Sequence, residues 1–158
     1  PVGGGGLLAG IIKIINEKKL KTKVIACQTE VCPSLTPSLQ EMKNVETQIK
    51  DLEIITDGSI VKKIGNLPWQ MISHFSHLQT EVLNNNQVLY AMGLLQQKHS
   101  IPSEGAAALA TAGFLNYAKK HNLENKNVVI VNSGGNVSNE LVDRGLNIYL
   151  NSNFSSLF

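Results

Sequence analysis

Four consecutive glycines, Gly3 to Gly6, stand directly ahead of an apolar stretch in which Leu7, Leu8, Ile11, Ile12 and Ile15 recur at helical spacing. Free of Cβ atoms, such a run lets backbone N–H groups approach a ligand closely. The helix behind it adds unpaired first-turn amides and the positive end of its dipole. A phosphate is the occupant this combination suits; a flexible entry loop is the plainer reading. A P-loop is excluded, because no Gly-Lys-Ser/Thr follows the glycines. Gly4-x-Gly6-x-x-Ala9 satisfies the relaxed dinucleotide fingerprint, with an acidic residue, Glu30, about 20 residues on. Four glycines in a row satisfy many patterns, so that match discriminates little. A glycine run joining two elements should have one before it, yet the chain opens on Pro1-Val2 with no initiator Met. The start therefore reads as a cut in a longer unit.

Along the chain, apolar strands alternate with helical segments. Lys23 to Cys27 reads as a short buried parallel strand. Thr36-Pro37 predicts an N-cap and first helical position for a helix through Met42. Asp57-Gly58 marks a turn after an extended Ile54-Ile55, and Pro68 starts a helix through Trp69, Ile72, His74 and Phe75. Asn84-Asn85-Asn86 precedes a helix carrying Val88, Leu89, Met92, Leu94 and Leu95 and ending near His99. Ser103-Glu104-Gly105 leads into an Ala-rich helix from Ala106 to about His121. Asn127 to Val131 reads as the clearest strand, running into a second glycine loop, Asn132-Ser133-Gly134-Gly135-Asn136, and then a short helix to Arg144-Gly145. This alternation predicts an α/β architecture, a parallel sheet in three α/β/α layers, with ligands at the carboxyl ends of the strands. The 158 residues fit one domain or part of one. A net charge of +2 is too small for a nucleic-acid surface, and no apolar run approaches the roughly 20 residues of a membrane span. Two cysteines, Cys27 and Cys32, cannot staple a secreted mini-domain, which favours a reducing, cytoplasmic setting.

Four motifs in order carry a resemblance. Pro1–Ile11 (Pro-Val-Gly-Gly-Gly-Gly-Leu-Leu-Ala-Gly-Ile), Thr56-Asp57-Gly58, Glu104-Gly105-Ala106 and Val131–Val137 (Val-Asn-Ser-Gly-Gly-Asn-Val) are together similar to pyridoxal-phosphate enzymes of fold type II. The chain resembles threonine ammonia-lyase (threonine dehydratase), with serine dehydratase and serine racemase nearby. The resemblance implies an incomplete tryptophan-synthase-β-like fold. It makes residues 1–150 the C-terminal half of the family's catalytic region and residues 151–158 a tail. It implies pyridoxal 5′-phosphate as cofactor, its phosphate cradled by Gly3, Gly4, Gly5, Gly6 and Leu7 and its pyridine nitrogen hydrogen-bonded by Ser133. Gly58 would lie beside the ring, and Glu104 would be the acidic residue facing the pocket. The implied reaction is β-elimination of water from threonine or serine, giving a 2-oxo acid and ammonia.

The same resemblance exposes what this chain lacks. The family's Schiff-base Lys lies in a Ser-x-Lys-x-Arg-Gly motif ahead of the glycine loop. Thirteen of the 14 basic residues here are Lys, and the only Arg, Arg144, has Val142 two residues before it. No catalytic residue is therefore expected in this chain, which should be inactive alone and need an N-terminal half as partner. Self-association into an oligomer is expected as well. Metal is not expected: Gln28 and Ser34 align with the acidic cation ligands of serine racemase-like members, and His74, His77, Cys27 and Cys32 form no set of four. Two other readings stay open, a catalytically dead phosphate-binding or assembly module and a nicotinamide dinucleotide domain.

Overall fold

A computed structural model describes all 158 residues. Its sheet has two parallel strands, β1 (Val24–Thr29) and β2 (Leu78–Leu83), paired in register from Val24 against Leu78 to Thr29 against Leu83. Side chains alternate across a strand, and here the alternation sorts the core into two clusters. Val24, Ala26 and Leu78 pack with α1 (Gly6–Glu17), α2 (Leu35–Gln40) and α3 (Asn66–Ile72) through Ile12, Leu35 and Ile72. Ile25, Cys27 and Leu83 pack on the opposite side with α4 (Asn85–His99) and α5 (Gly105–Lys120) through Val88, Leu109 and Ala112. The layers are thus helix, sheet, helix, as the sequence predicts. A 3-10 turn at Asp57–Ser59, α6 (Asn139–Asn151) and α7 (Phe154–Leu157) complete the chain.

Two glycines set the helix spacings. A Cβ on Gly113 would stand 2.1 Å from Cys27 Sγ, so α5 lies on β1 closer than any other residue type permits. A Cβ on Gly93 would stand 2.1 Å from the Gly145 carbonyl oxygen, where α4 crosses α6. Asn84 and Gln87 close α4 with a reciprocal capping box. Gln87 also donates to the Leu157 carbonyl at 2.8 Å, and the Phe154 and Phe158 rings pack on Tyr90, so residues 154–158 are docked on α4.

Several elements depart from expectation. Asn127–Val131 forms no strand; Val128, Val129 and Ile130 are exposed, and no backbone ladder reaches them. Strand propensity is there, but a strand also needs a neighbour to take its N–H and C=O groups, and this chain provides none at that place. β2 has no clear signature, because Gln79, Thr80 and Glu81 interrupt its apolar residues along the sheet edge. Thr36 does not cap α2. The Gln28 side chain, reaching from β1, accepts from Leu35 N (3.1 Å), Thr36 N (3.0 Å) and Thr36 Oγ1 (3.2 Å), so the helix starts ahead of Pro37 and ends at Gln40, short of Met42. α3 begins at Asn66, with Pro68 inside its first turn where no N–H is required. It stops at Ile72, short of Phe75, whose N–H turns back to the Ile72 carbonyl. α6 runs past Gly145 to Asn151, because that glycine is the crossing point with α4 and does not terminate the helix.

Burial of Cys27, which is 3% exposed, pushes its thiol pKa from 9.0 to about 11, with the Glu81 carboxylate adding to the shift. The fold keeps this thiol protonated, so stability is intact below pH 9.0 and falls as pH rises towards 11. The loss should total about 2–3 kcal/mol by linkage and be visible as a falling urea midpoint. Gly113→Ala should destabilise the chain by about 1–3 kcal/mol through overpacking on Cys27. Gly10→Ala, in α1 with nothing within 4 Å of its Cβ position, should stabilise it by about 0.5–1 kcal/mol. Urea denaturation of the two variants measures both signs.

Candidate functional site

The glycine loop turns sharply into α1. Gly5 has φ 88°, the left-handed region, and its Cβ position lies 3.0–3.1 Å from Ile64, Pro68 and Ile72 side chains. Glycine is therefore required there twice over, for backbone conformation and for space. The Gly65 N–H donates to the Gly4 carbonyl at 3.0 Å, and the Val2 N–H donates to the Cys27 carbonyl at 2.9 Å, tying the loop to the start of α3 and to β1. No side chain caps α1 and its first turn holds no acid, so its leading amides remain available to a ligand. Gly4 and Gly6 differ from Gly5. A Cβ on Gly6 would meet nothing within 4 Å, and one on Gly4 only Val61, at 3.8 Å.

Three further segments complete the wall. Gly58 lies in the 3-10 turn, against Ala106 and Glu104, and its carbonyl stands 3.2 Å from the Cβ position of Gly3. Ser59 Oγ donates to the Thr56 carbonyl at 2.8 Å and fastens this turn. Glu104 precedes α5 as its N-cap residue without a side-chain cap bond, which leaves its carboxylate free to face the glycines. The helix enters beside the turn because Gly105 has no Cβ; one would stand 1.9 Å from the Ile55 carbonyl oxygen. The second glycine loop reaches the same place. The Glu104 N–H donates to the Gly134 carbonyl at 3.2 Å, and a Cβ on Gly134 would fall 2.5 Å from the Glu104 carboxyl carbon.

The result is one recess of about 220 Å³. Gly3, Gly4, Gly5, Gly6, Leu7, Gly58, Glu104 and Ser133, the eight residues singled out from sequence, all line it. Ser59 and Ala106 line it too and were not anticipated; the Thr-Asp-Gly-Ser turn was the available signal for Ser59. No lysine borders the recess, and neither does Glu30, so the acidic partner of a dinucleotide reading is not at the loop. The chemistry on offer is anion binding by backbone amides at one end and a side-chain hydroxyl, Ser133, at another. The space into which Gly4 and Gly6 carry no Cβ is what a phosphate at the α1 terminus requires.

Elsewhere, Gln28 spends its amide oxygen on α2, and no group of three or more His, Cys, Asp or Glu side chains is arranged to hold a metal ion. No helix is long and apolar enough to cross a membrane. A broader depression of about 430 Å³ along β2, bordered by Glu81 and His121, shares no residue with the recess.

Residues 1–134 match the family described as pyridoxal-phosphate dependent enzyme. The chain is 33% identical over 147 residues to the L-threonine ammonia-lyase of Thermotoga maritima, covering 93% of this chain and 35% of that protein. It is 34% identical over 153 residues to the catabolic L-threonine dehydratase of Staphylococcus aureus, covering 94% of this chain and 43% of the relative. The chain thus spans less than half the length of these relatives. Among solved structures, threonine deaminase isoform 2 of Solanum lycopersicum superposes with a TM-score of 0.85 at 24% identity, covering 94% of this chain and 42% of that one. Serine racemase of Dictyostelium discoideum superposes with a TM-score of 0.76 at 28% identity, covering 87% and 43%. The fold is therefore that of fold type II pyridoxal-phosphate enzymes.

Gly6→Ala should leave the melting temperature within a degree or two, because its Cβ meets no protein atom, yet weaken inorganic phosphate binding about tenfold by narrowing the amide cradle. Gly5→Ala should instead lower the melting temperature by several degrees through the strained φ and the contact with Ile64. Calorimetry of unfolding and of phosphate titration separates the two.

Proposed function

The chain belongs to the pyridoxal-phosphate-dependent enzymes, and we propose that it supplies the cofactor-holding part of an ammonia-lyase acting on threonine or serine. The observation that carries this reading is the convergence of four separate segments, residues 3–7, 58, 104 and 133, on one recess at a helix N-terminus. The amides of Gly3 to Gly6 and Leu7 hold the phosphate, their charge complemented by the α1 dipole. The Ser133 hydroxyl meets the pyridine nitrogen. A hydroxyl is a neutral partner, so it does not stabilise a protonated ring as a carboxylate would. Gly58 gives the ring a close backbone approach, and Glu104 sets a negative charge at the recess wall, opposite the amides. Bound there, pyridoxal 5′-phosphate supplies the electron sink for removal of the substrate's α-proton. The net reaction would take the α-hydrogen and the β-hydroxyl from the substrate as water, and hydrolysis of the resulting enamine would give a 2-oxo acid and ammonia.

The amine nucleophile comes from a segment outside this sequence, since none of the 13 lysines borders the recess. The same segment gives the exposed Asn127–Val131 run the sheet neighbour it lacks and continues the strand position that Val2 marks beside Cys27. On this reading residues 1–150 are the C-terminal half of a catalytic region. The unit is a cytoplasmic homo-oligomer, a placement supported by two unpaired buried cysteines and by exposed Leu7 and Ile14 on α1 and Leu20 just beyond it.

Mixing this chain with the part of the Thermotoga maritima ammonia-lyase that precedes the matched region, plus pyridoxal 5′-phosphate, should release 2-oxo acid from threonine or serine. Either component alone should release none. Cofactor uptake with no product would favour a phosphate-binding assembly module; no uptake at all would remove the reading.

A further inference from the structure

Resting on the reading that Ser133 meets the pyridine nitrogen, we propose that Ser103 and Asn132 form a positioning pair that aims the Ser133 hydroxyl into the recess. Ser103 is 2% exposed and stands next to Glu104, the N-cap residue of α5. Its hydroxyl donates to Asn132 Oδ1 at 2.7 Å, across 29 residues of sequence. On the other flank of Ser133, the Gly134 carbonyl accepts the Glu104 N–H at 3.2 Å. Ser133 is therefore clamped on both sides, and both anchors are consecutive residues at the head of the well-buried helix α5.

The clamp matters because of what precedes it. A glycine loop that follows a strand ordinarily takes its position from the sheet. Here Asn127–Val131 makes no ladder, and the turn that follows, Val137 N–H to the Gly135 carbonyl, is internal to the loop. Within this chain the hydrogen bonds on either side of Ser133 come from Ser103 and Glu104, a Cβ on Gly135 would sit 3.1 Å from the Pro102 carbonyl oxygen, and Val137 beyond the loop packs on the α4–α5 core. A serine side chain has a single heavy-atom torsion. Fixing its backbone from both sides limits the hydroxyl to the few staggered positions of χ1. Loss of Ser103–Asn132 frees one side, and Ser133 then discriminates less sharply at the ring nitrogen. The glycine cradle, built from other segments, still binds phosphate.

The test uses the full chain and three probes: pyridoxal 5′-phosphate, its analogue with C–H in place of the ring nitrogen, and inorganic phosphate. The quantity read is the affinity ratio of the first two. The native chain should prefer pyridoxal 5′-phosphate, and Ser133→Ala should abolish that preference. Ser103→Ala and Asn132→Ala should each reduce it at least threefold with phosphate affinity unchanged. Adding Ser103→Ala to Ser133→Ala should change nothing further. Asn132→Asp, which retains the acceptor on an exposed residue, should not lower the preference, and its charge should if anything raise it by favouring a protonated ring nitrogen that the analogue lacks. If Ser133→Ala loses the preference while Ser103→Ala and Asn132→Ala retain it, the positioning pair is refuted and the pyridine contact stands. If phosphate affinity falls in step with the preference, the pair only holds the recess together and the proposal is overturned. If the native chain shows no preference, the pyridine contact and the pair fall together.

Discussion

The left-handed turn at Gly5 governs the arrangement around it. At φ 88° the backbone leaves the edge of β1, where Val2 is bonded to Cys27, and enters α1 within a few residues. That reversal is packed against Ile64, Pro68 and Ile72, so the loop, α3 and the apolar core beneath α1 hold one another in place. The same turn brings the start of α1 to the recess that Gly58 and Glu104 also line, so the recess is a by-product of how the strand edge is joined to the helix. Any side chain at Gly5 would disturb the core and the site together.

Around that turn, the molecule repeatedly uses the absence of a side chain for close approach. Gly105 lets α5 enter against the Ile55 carbonyl, Gly113 seats α5 on Cys27, and Gly134 makes room for the Glu104 carboxylate. These contacts form a chain from the second glycine loop, through α5, to β1 and the first glycine loop. Residues far apart in sequence therefore share one recess wall, and rigid packing along α5 keeps them in register.

What could be read from the sequence depended on whether the cause was local. The glycine loops were legible because lack of Cβ atoms and a following helix are properties of adjacent residues. Glu104 and Ser133 were legible only through their place within ordered motifs. β2 was not, since an edge strand carrying Gln79, Thr80 and Glu81 has no apolar alternation to display. Asn127–Val131 departs from expectation for the opposite reason: its composition records a preference for the extended state, whereas a strand is a property of two segments, and this chain supplies one. The cap on α2 was also missed, because Gln28 delivers it from another element. The Ser103–Asn132 bond joins positions 29 residues apart, and nothing in either neighbourhood announces it.

The bare Asn127–Val131 ribbon has a consequence for the life of the chain outside any binding site. Val129 is 88% exposed, between Val128 and Ile130, with its peptide groups turned to solvent. A β-branched run with no charge between Val128 and Val131 is a template on which another extended chain can crystallise its own hydrogen bonds. The same edge suits two occupants, the neighbour that would close the sheet and another copy of the same ribbon.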